Sequence, residues 1–139
     1  MKQYAVLMLC LCLLGACGPA PARQGVMEPD GESQVKTRQM QTRYFDTADK
    51  KKTMESVVET LLDLGFVINS ASFEMGSVSA TRLGGTTLRI TVSVMSRGRR
   101  MAVRANVQDN IRAVTDPKTY QNFFDALAKS MFLQAHLEE

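Results

Sequence analysis

The sequence contains few of the residue types on which catalysis and metal binding depend. Its 139 residues include no tryptophan, one histidine and three cysteines, and all three cysteines fall within the first 17 positions. His136 stands three residues from the C-terminal end, where a solvated side chain is expected rather than a base or a metal ligand. No Gly-x-Ser-x-Gly elbow, phosphate-binding loop or zinc-ligand spacing occurs. The sequence therefore predicts a protein that is not an enzyme and that holds no cofactor and no metal.

The charge balance is also weak. The chain carries 17 lysine and arginine residues against 14 aspartate and glutamate residues, a formal net charge of +3. Domains that bind nucleic acid are expected to be strongly basic. The composition therefore predicts that nucleic acid is not a partner.

The longest apolar stretch stands at the N-terminus. Lys2 supplies a positive charge, residues 4–14 are hydrophobic, and small residues lead up to Cys17, which is the arrangement of a secretory signal. Because Pro19 and Pro21 follow closely, the stretch is short for a helix of ~20 residues that crosses a bilayer. The residues Leu14-Gly-Ala-Cys17 resemble the bacterial lipobox, in which the chain is cut before an acylated cysteine. The alternatives are an ordinary signal peptide and an N-terminal membrane span.

The lipobox resemblance implies a signal peptide over residues 1–16 and lipidation at Cys17. The mature chain then has no other cysteine, so it can form no disulfide and no thiolate metal site. Residues 17–37 are rich in Pro, Ala, Gly, Gln, Glu and Ser, a composition that predicts a flexible tether. Gly18 is not acidic, which by resemblance to lipoprotein sorting patterns favours the outer membrane, with the domain facing the periplasm.

Residues 38–139 are expected to form one globular domain. Residues 38–45 predict a first strand, and Asp46 then resembles the N-cap of a helix that Gly65 ends as a left-handed C-cap. Residues 66–73 and 77–81 predict two further strands, separated by Gly76. The apolar stripe of the helix is expected to consist of Met54, Val57, Val58, Leu61 and Leu62.

The clearest pattern is a β-hairpin followed by a helix. Apolar residues at positions 88–94 and 101–107 alternate with polar ones, and a turn around Gly98 joins the two strands. Asp116 and Pro117 predict the start of the last helix. The element order is therefore β-α-β-β-β-β-α. It predicts an α+β two-layer sandwich, a mostly antiparallel sheet of four to five strands with two helices on one face.

Polar side chains of the hairpin are expected to share the other face of this sheet. Arg89 and Arg104 should lie among hydroxyl and amide side chains, with Gln41 and Arg43 beside them. Guanidinium groups in such a setting suit an acidic protein segment or a lipid or glycan phosphate. The plainer interpretation is the solvated side of an antiparallel sheet.

The densest group of charges is Arg97, Arg99 and Arg100, at the predicted hairpin tip. On a tethered protein, each basic residue near an anionic surface contributes ~1 kcal/mol. The alternative is a solvated turn whose charges prevent aggregation.

Three stretches are similar to a pattern in small envelope lipoproteins: Phe45-Asp-Thr-Ala-Asp, Leu61-Leu-Asp-Leu-Gly-Phe-Val-Ile68 and Gly76-Ser-Val-Ser-Ala-Thr81. An acidic helix start, a helix that ends in Leu-Gly-aromatic, a strand and a glycine before the next strand follow in order. This arrangement resembles the domains of BamC-type lipoproteins, accessory subunits of outer-membrane β-barrel assembly. The resemblance implies a non-catalytic accessory subunit with a protein partner, and it assigns no functional residue.

Two hypotheses on function follow. The first is a lipid-anchored interaction subunit of an envelope complex for barrel assembly, transport or secretion. The second is a module that binds an anionic lipid, a glycan or a peptidoglycan fragment on the polar sheet face. The candidate residues for either are Arg43, Arg89, Arg97, Arg99, Arg100 and Arg104, with Cys17 as the lipidation site.

Overall fold

One antiparallel sheet with helices packed on one face makes up the domain. The computed structural model describes residues 31–137, and side-chain burial for residues 34–132. The predicted leader, Cys17 and the predicted tether up to residue 30 lie outside the described residues. In chain order the elements are α1 (Gly31–Met40), β1 (Thr42–Phe45), α2 (Lys50–Asp63), β2 (Val67–Ser72), β3 (Ser77–Gly84), β4 (Thr86–Arg97), β5 (Arg100–Asp109), β6 (Arg112–Ala113) and α3 (Pro117–Leu137).

The sheet confirms the predicted α+β sandwich and is larger than expected. Its strand order is β1-β5-β4-β3-β2, and β6 pairs with β5, which gives six strands where four to five were predicted. The central hairpin joins β4 to β5 in continuous register from Leu88 opposite Asp109 to Arg97 opposite Arg100. Gly98 has φ +64 in the two-residue connection, as expected for a tight hairpin turn.

Helix α2 begins at a different residue from the predicted one and ends where expected. Its N-cap is Asp49, whose carboxylate accepts the backbone N–H of Lys52 at 3.0 Å. Asp46, the predicted N-cap, instead follows the last residue of β1, three residues before the true cap. At the other end Gly65 has φ +78, and the N–H groups of Gly65 and Phe66 return to the carbonyls of Leu62 and Leu61. This is the left-handed C-cap that the sequence predicted.

The apolar core lies between the two long helices and one face of the sheet. In α2, Met54, Val57 and Leu61 are fully buried, whereas Leu62, which the prediction included in the apolar stripe, is 54% exposed and lies outside the core. Each fully buried side chain of this size contributes about 1.5–3 kcal/mol through loss of contact with water. The sheet and α3 supply the rest of this core: Val78, Ala80, Ile90, Val92, Val94, Met101, Val103, Ala105, Val107, Tyr120, Phe123, Phe124 and Leu127.

Helix α3 starts at the predicted residues. Pro117 is its first residue, and the Asp116 carboxylate accepts the backbone N–H groups of Lys118 and Thr119, each at 3.2 Å. The hydrogen bond from the Lys118 N–H, followed by the one from the Thr119 side chain, lowers the pKa of Asp116 below its ordinary value. The exposed carboxylate therefore stabilises this helix in its ionised form.

The first described element differs from the prediction. Residues 31–40 form helix α1, and the first strand begins at Thr42 rather than at residue 38. The segment contains Glu, Gln, Lys and Arg, all of which favour helices. The helix was not recognised from the sequence, because α1 has almost no amphipathic pattern and Val35 is 52% exposed. The weak alternation after residue 38 was therefore read as a strand.

Gly76 fixes the junction between β2 and β3. It has φ +71, and its carbonyl accepts the N–H of Val94 on β4 at 2.7 Å. A Cβ at this position would overlap the carbonyl oxygen of Val94 and lie 2.7 Å from Cε of Lys50. Only glycine fits this site, because any side chain would push the turn away from β4.

Candidate functional site

The sheet face opposite α2 and α3 is polar. Strand register places Arg89 opposite Gln108, Thr91 opposite Asn106 and Ser93 opposite Arg104. This confirms the predicted cluster on the two central strands. We call this side of the sheet the outer face. Its further members are Ser77, Ser79 and Thr81 of β3, Thr42 and Tyr44 of β1, and Met95, Arg97, Arg100 and Ala102 of the hairpin.

The outer face has positive but no negative strand residues. Asp109 is the one acidic residue in the six described strands, and it pairs with Leu88, which packs against the core on the helix side. Four arginines occupy outer-face positions, and among the side chains of residues 34–132 no carboxylate lies within ion-pair distance of them. The strand residues of the outer face therefore carry positive charge and no negative charge, which gives this face a positive local field.

Arg89 and Arg104 are set apart along the central strands. Both are exposed. Arg89 is four residues from Ser93, the partner of Arg104, so the two backbone positions are separated by about 13 Å along the strand direction. The hydroxyl and amide groups of Thr91, Ser93 and Asn106 occupy the space between them. This spacing suits an extended ligand with separated negative groups better than one small anion.

Arg104 is connected to the core through two buried groups. Its Nη2 donates to Oε1 of Gln41 at 3.5 Å, and Nε2 of Gln41 donates to the Tyr120 hydroxyl at 3.4 Å. The same hydroxyl donates to the Val114 carbonyl at 2.8 Å and accepts the Val107 N–H at 3.3 Å. Tyr120 is 1% exposed and Gln41 is 7% exposed. A buried polar chain therefore leads from α3 to a candidate binding residue.

Arg43 is not on the outer face, and this prediction was wrong. Its register partner is Val103, a core residue, so its side chain points to the helix side of the sheet. There its guanidinium lies 5.7 Å from the centre of the Phe124 ring. The alternation of β1 starts one residue out of phase with the prediction, so Thr42 and Tyr44 are the outer-face residues.

The predicted arginine cluster does lie at the hairpin tip. Arg97 and Arg100 are directly opposite each other on the outer face, and Arg99 is in the turn between them. The Arg100 guanidinium lies 5.2 Å from the centre of the Tyr44 ring. Tyr44 is 57% exposed and Met95 is 41% exposed, and these two side chains flank the buried Ala102. The sequence prediction missed Tyr44, which correct phasing of β1 would have found.

A second feature is a cavity of about 550 Å³ on the helix side, at the start of α2. Phe45, Met131 and Phe132 supply apolar walls, and Asp46 and Asp49 are at its edge. Asp49 is engaged in capping α2, so its carboxylate already serves the fold. Among the side chains that the structure describes, those of residues 34–132, no group of three or more His, Cys, Asp and Glu is arranged to hold a metal ion.

None of the helices within the described part of the chain has both the length and the hydrophobicity needed to cross a bilayer. No model of a known protein family and no curated protein sequence matches this chain.

Proposed function

We propose that this protein is a lipoprotein of the outer membrane, anchored through Cys17, whose periplasmic domain is a non-catalytic interaction subunit of an envelope complex. The leader and the Leu14-Gly-Ala-Cys17 motif support the anchor. The resemblance to BamC-type domains supports an accessory role in barrel assembly, and transport or secretion complexes suit the same features. The observation that carries the interaction role is the one-sided sheet, whose outer face presents arginines and no acids.

The outer face is the docking surface in this proposal. The core is complete on the helix side, where the buried apolar residues form one cluster, so the outer face is not needed to shield it. An acidic segment of a protein partner would pair with Arg89 and Arg104 and hydrogen-bond to the hydroxyl and amide groups between them. Electrostatic complementarity of this kind mainly sets partner choice and association rate.

A second candidate is a module that holds an anionic glycan, lipid or peptidoglycan fragment on the same surface. The separation of about 13 Å between Arg89 and Arg104 favours an extended ligand, and the intervening hydroxyl and amide groups could bind sugar hydroxyls. We rank this candidate second, because the polar groups between Arg89 and Arg104 lie on an open sheet face.

In-cell crosslinking tests the interaction role. A photo-crosslinking amino acid at Thr91, in the middle of the outer face, should give one discrete adduct with an envelope protein. The double variant Arg89→Glu/Arg104→Glu should abolish that adduct while the domain stays folded, with only a small decrease in melting temperature from loss of the Arg104–Gln41 hydrogen bond. The matched control Lys118→Glu/Lys129→Glu makes the same change in net charge at exposed residues of α3 and should retain the adduct. No adduct, or equal loss in both variants, would refute the proposed docking surface.

The anchor is tested separately. Mass spectrometry of the protein purified from cell membranes should find Cys17 as the N-terminal residue, with acyl chains on its sulfur and its amino group. The variant Cys17→Ser should accumulate with an uncleaved leader. An unmodified Cys17 in the wild-type protein would remove the proposed location.

A further inference from the structure

The hairpin tip combines positive charge with exposed apolar and aromatic side chains. We define the tip patch as Arg97, Arg99 and Arg100 together with Met95 and Tyr44. All five side chains are exposed, and Arg100 lies over the ring of Tyr44. An amphipathic tyrosine beside arginines is the composition that proteins place at the interface between a membrane and water.

The arrangement of charge at the tip does not serve the fold. Arg97 and Arg100 are a directly opposed cross-strand pair of like charge, which destabilises a hairpin. No carboxylate of the described residues neutralises them, and Arg99 adds a third charge in the turn. An opposed pair of like charges, with a third beside it and no acidic partner among the described side chains, indicates a requirement other than stability.

We infer that the tip patch docks on the anionic headgroup surface of the bilayer that carries the lipid anchor. The three guanidinium groups bind lipid phosphates, and Tyr44 and Met95 enter the boundary between headgroups and acyl chains. The inference rests on the proposed attachment at Cys17, since the anchor brings the tip close to this surface. A turn whose charges only maintain solubility would not need the exposed Met95 and Tyr44 beside them.

The length of the chain before the described residues permits this contact. As the flexible tether that the sequence predicts, the segment between Cys17 and Gly31 has a root-mean-square reach of roughly 20 Å. The anchor therefore keeps the domain within a short distance of the bilayer, where the tip patch would set its orientation. Arg89 is eight residues from Arg97 on β4, so about 26 Å separates Arg89, in the proposed partner-docking surface, from the tip patch.

Vesicle binding without the anchor tests the inference. The core residues all lie between Met40 and Met131, so the chain from position 17 onward, carrying Cys17→Ser, retains every core contact and folds without leader or lipid. This protein should float with vesicles of phosphatidylcholine that contain about a third phosphatidylglycerol, and should not float with pure phosphatidylcholine. Binding should decline as salt is raised, because salt screens the interaction.

Two triple variants separate the tip from net charge. Arg97→Gln/Arg99→Gln/Arg100→Gln should weaken binding about a hundredfold, since each basic residue near an anionic surface contributes about fivefold. The control Arg112→Gln/Lys118→Gln/Lys129→Gln removes the same charge from exposed residues elsewhere and should keep most of the binding. The double variant Tyr44→Ser/Met95→Ser tests the apolar contribution and should also weaken binding while net charge stays constant.

Three outcomes would overturn the inference: equal weakening by the two triple variants, equal binding to the two kinds of vesicle, or binding to neither. Circular dichroism should find all variants folded, because every substituted side chain is exposed. The result is independent of the partner-docking test, because the Thr91 adduct depends on the far part of the outer face. If the protein with an unsubstituted tip patch fails to bind vesicles while the Thr91 adduct forms, only the membrane-docking surface is rejected.

Discussion

Removal of one buried hydroxyl, in Tyr120→Phe, should destabilise the domain more than any change of similar size on its surface. The hydroxyl makes three hydrogen bonds, to Val114, Val107 and Gln41. Without it, these groups lose a partner while they remain largely shielded from water. A buried donor or acceptor that loses its partner costs about 1–3 kcal/mol, and partial relaxation of the β6–α3 connection reduces the sum. We expect a loss of about 2–4 kcal/mol in the free energy of unfolding.

Urea unfolding monitored by circular dichroism measures this loss. The midpoint should decrease at an unchanged m-value, because the buried area stays the same. Tyr44→Phe is the matched control: its hydroxyl is on a residue that is 57% exposed, so its removal should change stability by less than about 0.5 kcal/mol. If Tyr120→Phe is as mild as its control, the hydroxyl does not hold these elements together. In the variant the side chain of Arg104 should also be less well ordered, because its hydrogen-bond partner Gln41 no longer donates to a hydroxyl on α3.

Three further predictions concern the fold. Gly76→Ala should reduce stability by at least 2 kcal/mol or prevent folding, because the left-handed φ alone costs about 1–2 kcal/mol and the new Cβ overlaps the carbonyl of Val94; expression yield and urea unfolding measure this. Leu61→Ala should cost about 2–5 kcal/mol because Leu61 is fully buried, whereas Leu62→Ala, at a residue that is 54% exposed, should change little in the same urea titration. Asp116→Ala should lower the melting temperature at neutral pH. Because the pKa of Asp116 is lower in the folded state than in the unfolded chain, the ionised carboxylate stabilises the helix fully at pH values above the unfolded pKa of about 3.8. The difference in melting temperature from wild type should therefore shrink as the pH falls below that value and the carboxylate is protonated.

Elements with a strong local signal were predictable from the sequence. The β4–β5 hairpin was predicted because apolar and polar residues alternate without a break on both sides of Gly98, and its register followed from that alternation. Helix α3 was predicted from the pair of Asp116 and Pro117 and from an apolar stripe at helical spacing. In both cases the local pattern and the tertiary burial require the same conformation.

Elements whose conformation depends on distant contacts were not predictable. Strand β1 has four residues, and which of them face the core is decided by pairing with β5, where Arg43 lies opposite Val103. An arginine is usually assigned to a solvated face, yet here the planar guanidinium lies over Phe124. Gln41 was predicted beside Arg43 on the polar face, yet it is 7% exposed; the prediction was wrong because the partner of Gln41, Tyr120, is 79 residues away in the chain.

Different faces of the sheet determine stability and binding in this protein, so most substitutions should affect only one of the two properties. All the residues of the core cluster lie between the helices and the inner face, and with no cysteine after Cys17 this packing must hold the domain without a disulfide. The outer face contributes little to that packing, so its composition can meet the needs of a ligand. Arg104 is the exception, since it is linked through Gln41 to the core hydroxyl of Tyr120. Substitutions at Arg89 should therefore affect recognition alone, whereas Arg104 should show a small stability change together with the loss of binding.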